Sequence, residues 1–105
     1  MKAHEIATEA ARLVKGDREA SHGNKFTNHA AIAAVWTGYI LAREVSGKDP
    51  FSLDAEDVAN MMELLKVARR LTGTTNNDDY IDGAGYAAVA GEIREYMDQF
   101  PISMT

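Results

Sequence analysis

Apolar residues recur at helical spacing in four segments of the chain, and polar punctuation separates the segments. In residues 3–15, Ile6, Ala10, Leu13 and Val14 share one face, because positions three and four apart stack on the same side of a helix. Gly16 ends that pattern. The stretch "GDREASHGNKFTN" that follows is polar and rich in Gly, Asn and Ser, the composition of a loop. It is long for a helix–helix connection, and long ordered loops often carry function.

A second helix is predicted over 28–46, with Asn28 as its N-cap and Ile32, Val35, Trp36, Tyr39 and Ile40 as its stripe. Pro50 in "KDPFSL" forbids its continuation. A third is predicted over 54–72, where Asp54 and Asp57 have the shape of a capping box. Its stripe is Val58, Met61, Met62, Leu65 and Ala68, and Lys66, Arg69 and Arg70 fall near its C-terminal end. There cations suit the helix dipole. The fourth spans 77–100, before Pro101. No stretch alternates apolar and polar residues persistently, so no sheet is expected. The expectation is one all-α domain over 1–105, four-helix bundle-like and completed by oligomerisation as a homodimer or homotetramer.

Composition narrows the chemistry. A formal net charge of −5 opposes binding of polymeric nucleic acid, which needs a cationic surface to displace counterions. Free nucleotides, held through a metal, stay open. With Cys 0, disulfides, zinc–thiolate sites and cysteine nucleophiles are excluded. No apolar run approaches the roughly 20 residues of a membrane span, and the first residues are too short in apolar length for a secretion signal. No membrane association and a cytoplasmic location are expected.

Carboxylates gather at two helix starts. Glu56, Asp57 and Asn60, with Glu63 one turn on, open the third helix; Asp78, Asp79 and Asp82 open the fourth. Should those faces meet, oxygen ligands converge, and a sulfur-free oxygen set favours Mg²⁺ or Mn²⁺. The plainer account is equally at hand: Asp78 and Asp79 are first-turn acids matched to the dipole, Asp57 is a cap, and Glu56 and Glu63 are solvated. Asp82 fits that account least, lying past the first turn with no charge after it until Glu92. A buried charge needs a partner or a metal. Gly83, Gly85 and Gly91 lie in the same segment, each costing about 1 kcal/mol against Ala in a helix interior. With the neighbouring alanines they offer a smooth surface for a helix or a flat ligand.

"AAVWTGYILAR", "DAEDVANMMELLKVARR" and "DDYIDGAGYAAVAGEI" resemble a family of small phage and prophage proteins of unassigned function. That family in turn is similar, remotely, to the MazG-like all-α nucleoside triphosphate pyrophosphohydrolases. The remote resemblance implies a helical dimer or tetramer in which EExxE on one helix and ExxD on the next hold Mg²⁺ against a triphosphate. Water then cleaves between the α and β phosphates. Carried over, "EDVAN" supplies Glu56, Asp57 and Asn60, and "DYID" supplies Asp79 and Asp82, with Asp78 as a substitute for Asp79. Asp57, Asn60, Asp78, Asp79 and Asp82 would be the metal set, and Glu56 and Asp57 the catalytic acids. Asn60 is neutral where the pattern has a carboxylate, which turns the expectation toward nucleotide binding with or without turnover. A purely structural helical oligomer is the third alternative.

Further candidates for nucleotide contact are Arg18 and His22 in the long loop, Lys66, Arg69 and Arg70 for phosphates, and Trp36, Tyr39 and Tyr86 for base stacking. For each, an ordinary reading stands beside it: surface loop, dipole-matched helix end, or core aromatic. His29 is expected to be structural, in the first turn of the second helix.

Overall fold

In the computed structural model, residues 1–16 and 24–101 are described; Arg18 and His22 lie outside them. Among the described residues four helices follow one another, α1 (Ala3–Lys15), α2 (Lys25–Val45), α3 (Ala55–Thr72) and α4 (Asn77–Gln99), and there is no strand. The all-α expectation therefore holds.

α2 begins earlier than the spacing predicts. Asn24, not Asn28, is the N-cap, its Oδ1 accepting from the Thr27 N–H at 3.1 Å. Asn28 lies inside the helix and is buried, donating from Nδ2 to Thr72 Oγ1 at 3.0 Å. Both asparagines can cap; the earlier one does, and the later one ties the start of α2 to the end of α3. The α3 expectation holds: Asp54 Oδ1 accepts from the Asp57 N–H at 2.9 Å, and Asp57 Oδ2 accepts from the Asp54 N–H at 2.8 Å. That reciprocal pair satisfies two amides the helix start would leave open. Asn76 caps α4 by accepting from the Asp78 N–H at 2.9 Å.

α3 is the middle of a three-helix layer. α2 packs on one side of it and α4 on the other, both antiparallel. No residue of α1 is buried. The core is correspondingly thin: Ile32, Ala59, Ala68 and Ala90 are the buried apolar residues, matched by the buried polar residues Asn28, Arg43, Asp57 and Asp79. The radius of gyration is 16.5 Å, against about 13 Å for a compact chain of this length. A layer of three helices with a fourth standing off is half of a bundle rather than a closed one.

The glycines of α4 divide. Gly83 is buried, and a Cβ there would lie 2.4 Å from Arg70 Nη2. Its bareness lets the Arg70 guanidinium lie against α4, over the Tyr80 ring at 4.4 Å and within 3.3 Å of the Asp79 carbonyl. Gly85 and Gly91 face open space.

Candidate functional site

The site begins at the end of α2. Arg43 continues the apolar stripe of that helix one turn past Tyr39, so the fold buries it. Its guanidinium is taken up almost completely: Nη1 donates to Asp57 Oδ1 and Oδ2 at 2.9 and 2.8 Å, and Nη2 donates to the Asp49 and Ser52 carbonyls at 2.7 and 2.8 Å. Arg43 thus fastens the α2–α3 connection onto the first turn of α3. Tyr39 Oη donates to Asp57 Oδ1 and accepts from Asn60 Nδ2 at 3.1 Å.

Burial pushes the Asp57 carboxyl up, but the Asp54 backbone N–H, the Tyr39 hydroxyl and the Arg43 charge outweigh it and hold the group below the ordinary carboxylate range. The same burial, followed by its bond to Asp57, pushes the Tyr39 hydroxyl above the usual phenol range. Asp57 is therefore an ionised anchor whose oxygens are already occupied.

Next to this anchor is a cavity of about 210 Å³ whose lining includes Tyr39, Arg43, Lys48, Glu56, Asn60 and Arg94. Arg94 reaches across from α4 to Glu56 Oε1 at 3.2 Å and to Asp98 Oδ1 at 2.9 Å, and its side chain stays 42% exposed. Lys48 is exposed at the rim. The "EDVAN" half of the expected site thus lines a real cavity, in the company of three cations.

The "DYID" half does not join it. Antiparallel packing sets Asp82 opposite Lys66, with Nζ to Oδ2 at 3.0 Å. Lys66 is six to ten residues along α3 from Asn60 and Glu56, an axial separation on the order of 9–15 Å. Asp79 is buried, whereas Asp78 and Asp82 are exposed. No group of three metal-ligating His, Cys, Asp or Glu residues occurs among the described residues. Convergence of both acid sets within one chain is thus corrected by the register of α3 and α4. So is the burial expected of Asp82, whose side chain is 48% exposed. It sits on a solvated side of α4, where Lys66 from α3 meets it.

The other candidates are placed as follows. Trp36 Nε1 donates to the Met61 carbonyl at 2.7 Å, which commits the indole to the α2–α3 seam rather than to the cavity. Arg69 is half-buried on α3 away from the cavity lining. Tyr86 and Asp82, with Ile81 and Gly85, line a separate, open depression on α4. The His29 ring Nδ1 lies 2.7 Å from the Lys25 carbonyl, one turn back, consistent with a structural role.

Sequence reasoning missed Arg43, Lys48 and Arg94. A signal for Arg43 exists: it falls at i+4 from Tyr39 on the stripe that carries Ile32, Val35, Trp36 and Tyr39. A cation on a buried stripe requires a carboxylate partner. Lys48 and Arg94 carry no local mark: Lys48 is one charge in the α2–α3 connection, and only the antiparallel register of α3 and α4 brings Arg94 to Glu56.

Comparison with known proteins places the chain. No solved structure matches it. Among curated proteins it is similar to the "Gene 55 protein" of Mycobacterium phage L5, 37% identical over 84 residues that make up 80% of this chain and 49% of the relative. It is likewise similar to the "Gene 55 protein" of Mycobacterium phage D29, 37% identical over 90 residues, 86% of this chain and 54% of that one. The chain spans about half the length of these relatives. Their phage origin agrees with the first of the two resemblances read from the sequence. Residues 5–94 match the family model described as "Domain of unknown function (DUF6378)", and the chain belongs to that family.

Proposed function

We propose that the protein binds a phosphorylated small molecule of the nucleotide class at the α2–α3–α4 cavity, with Mg²⁺ or Mn²⁺ carried on the phosphates. The observation behind this reading is the ion pair of Glu56 with the partly exposed Arg94, beside the exposed Lys48, around one cavity. Within one chain the donors do not suit a resident metal, because Asp57 is consumed by Arg43, Tyr39 and the Asp54 N–H. They do suit a metal arriving on a ligand. Mg²⁺ commonly keeps several waters and takes only one or two protein carboxylates beside the phosphates. Glu56 would be that carboxylate, aided by Asn60, while Arg94 turns from Glu56 to a phosphate oxygen, a charge-assisted bond stronger than a neutral one. At about 210 Å³ the cavity is smaller than the roughly 300–1,000 Å³ that enclose a drug-sized ligand, so it suits the phosphates, with base and sugar outside.

Binding without hydrolysis is the preferred form of this reading. Cleavage to the monophosphate and pyrophosphate needs a carboxylate within reach of the attacking water. Asp57, with its oxygens engaged and its carboxyl acidified, is a poor base, which leaves Glu56 alone. Such a binder would act inside the bacterial cell, as a phage product would. The test is calorimetry against nucleoside mono-, di- and triphosphates with Mg²⁺ or Mn²⁺, beside an assay of pyrophosphate release. A metal-dependent affinity that Arg94→Ala weakens at least tenfold is expected, with no release. Heat from no nucleotide at all would dismiss the binding reading in favour of a purely structural role. Metal-dependent release would replace binding by turnover.

A further inference from the structure

We propose that Tyr39 is a positioning residue for the metal on the ligand. It holds the Asn60 side chain with Oδ1 toward the cavity as an acceptor, so that the site takes a phosphorylated molecule together with its divalent cation and discriminates against the free anion. The inference rests on the binding reading above and adds to it the group that decides metal dependence.

The two ends of an amide are nearly alike in shape, so packing alone does not choose which of them faces the cavity. The hydrogen-bond partners do. Arg43 Nη1 donates to both oxygens of Asp57, and the Asp54 N–H donates to one of them. Asp57 is thus an anion that only accepts. Tyr39 Oη stands between Asp57 Oδ1 and Asn60. A phenol has one proton, and Asp57 takes it. The Asn60 atom 3.1 Å from that hydroxyl must then be the donor, Nδ2. Among the described residues nothing donates to Asn60 Oδ1.

Glu56 and Asn60 are four residues apart on α3, so they share a face, and both line the cavity. Once Arg94 has turned away, that wall offers oxygen acceptors and no donor. A bare phosphate meets like charge and lone pairs there. A divalent cation between them turns both oxygens into ligands, since Mg²⁺ and Mn²⁺ take oxygen donors. Were the amide reversed, Nδ2 would donate to phosphate directly and the metal would lose a ligand. An aspartate at position 60 would find no donor in Tyr39, whose single proton Asp57 already holds.

The probe is inorganic tripolyphosphate, titrated by calorimetry with and without Mg²⁺. Removing a group that orients a metal ligand typically lowers metal affinity about 10–100-fold. Tyr39→Phe should therefore weaken the Mg²⁺-loaded form at least tenfold and leave binding of the metal-free form nearly unchanged. Equal losses for both forms would mean a loosened site and overturn the inference. Asn60→Asp should then restore Mg²⁺-dependent binding to Tyr39→Phe, because a carboxylate presents an oxygen whichever way it turns. That gain should be several-fold larger in Tyr39→Phe than in the parent protein. An equal gain in both shows two residues acting independently and refutes the positioning role. The ligand-free protein gives a further check. Tyr39→Phe should shift the Asn60 side-chain amide resonances and quicken their exchange with water; unmoved resonances overturn the assignment of Nδ2 as the donor. Failure of the parent to bind tripolyphosphate with metal removes the binding reading and this inference together. Metal-dependent binding that Tyr39→Phe leaves intact removes this inference alone.

Discussion

Two ion pairs tie α3 to its neighbours, one on each side. At the α2 seam, Arg43 and Asp57 meet at 2.8 Å with side chains only 8% and 6% exposed. At the α4 seam, Lys66 and Asp82 meet at 3.0 Å with exposures of 12% and 48%. The charges are alike and the distances nearly so, but the surroundings are not. Arg43 Nη2 donates to two carbonyls while its buried Nε has no partner, and Asp57 accepts from a phenol and an amide as well. Lys66 offers a flexible ammonium to a carboxylate that water also solvates. The first pair is part of the fold's frame, and the second is an adjustable contact. Acidic residues at two helix starts, similar in sequence, have therefore been put to different uses.

The largest expected effect comes from removing Arg43. Arg43→Ala leaves Asp57 buried and uncompensated, which costs on the order of 3–5 kcal/mol for a buried pair, measured by urea unfolding. Lys66→Ala, which leaves behind a carboxylate that is 48% exposed and so solvated, should cost clearly less. Comparable losses for the two variants would abolish the distinction. Next comes acid. Asp57 is held below its ordinary value when folded, so as pH falls the unfolded chain takes up the proton first. Its contribution is therefore complete above roughly pH 4, the unfolded value, and disappears as pH drops through the lowered folded value. Stability followed from pH 5 to 2 should decline below that point, with the same slope in Asp82→Asn. A slope that Asp82→Asn removes would move the acid sensitivity to the α4 seam.

The smallest effect concerns glycines on that α4 side, and it is one of sign. Gly83→Ala must displace the Arg70 guanidinium from its place over Tyr80 and so should destabilise. Gly91→Ala has open space before it and should stabilise by about 1 kcal/mol through helix propensity. Thermal melts moving the same way in both variants would show that Gly83 is not a point of close approach.

Local pattern accounts for most of what was legible. Stripes at helical spacing, Gly16, Pro50 and the Asp54–Asp57 box placed four helices, because helix periodicity and capping are properties of adjacent residues. The start of α2 slipped by about one turn because Asn24 and Asn28 have equal capping chemistry, and only the Thr72 hydroxyl decides between them. The cavity was half legible. Glu56, Asp57 and Asn60 announce themselves by spacing, but Lys48 is one more charge in a polar connection, and Arg94 arrives from α4 through a crossing that no local window contains. Asp82 misled for the same reason. Its sequence neighbours are apolar, yet a helix turns each residue through about 100°, and its own direction leads to the surface and to Lys66.

The sequential arrangement of the layer bears on how the chain folds. α2 touches α3 and α3 touches α4, across connections of nine and four residues. Each contact is thus made by closing a short loop, a low contact order that favours folding in microseconds to milliseconds. α1 adds nothing to that early event. A slow refolding phase should then come from isomerisation at Pro50 or from association of chains, and only association should quicken with protein concentration.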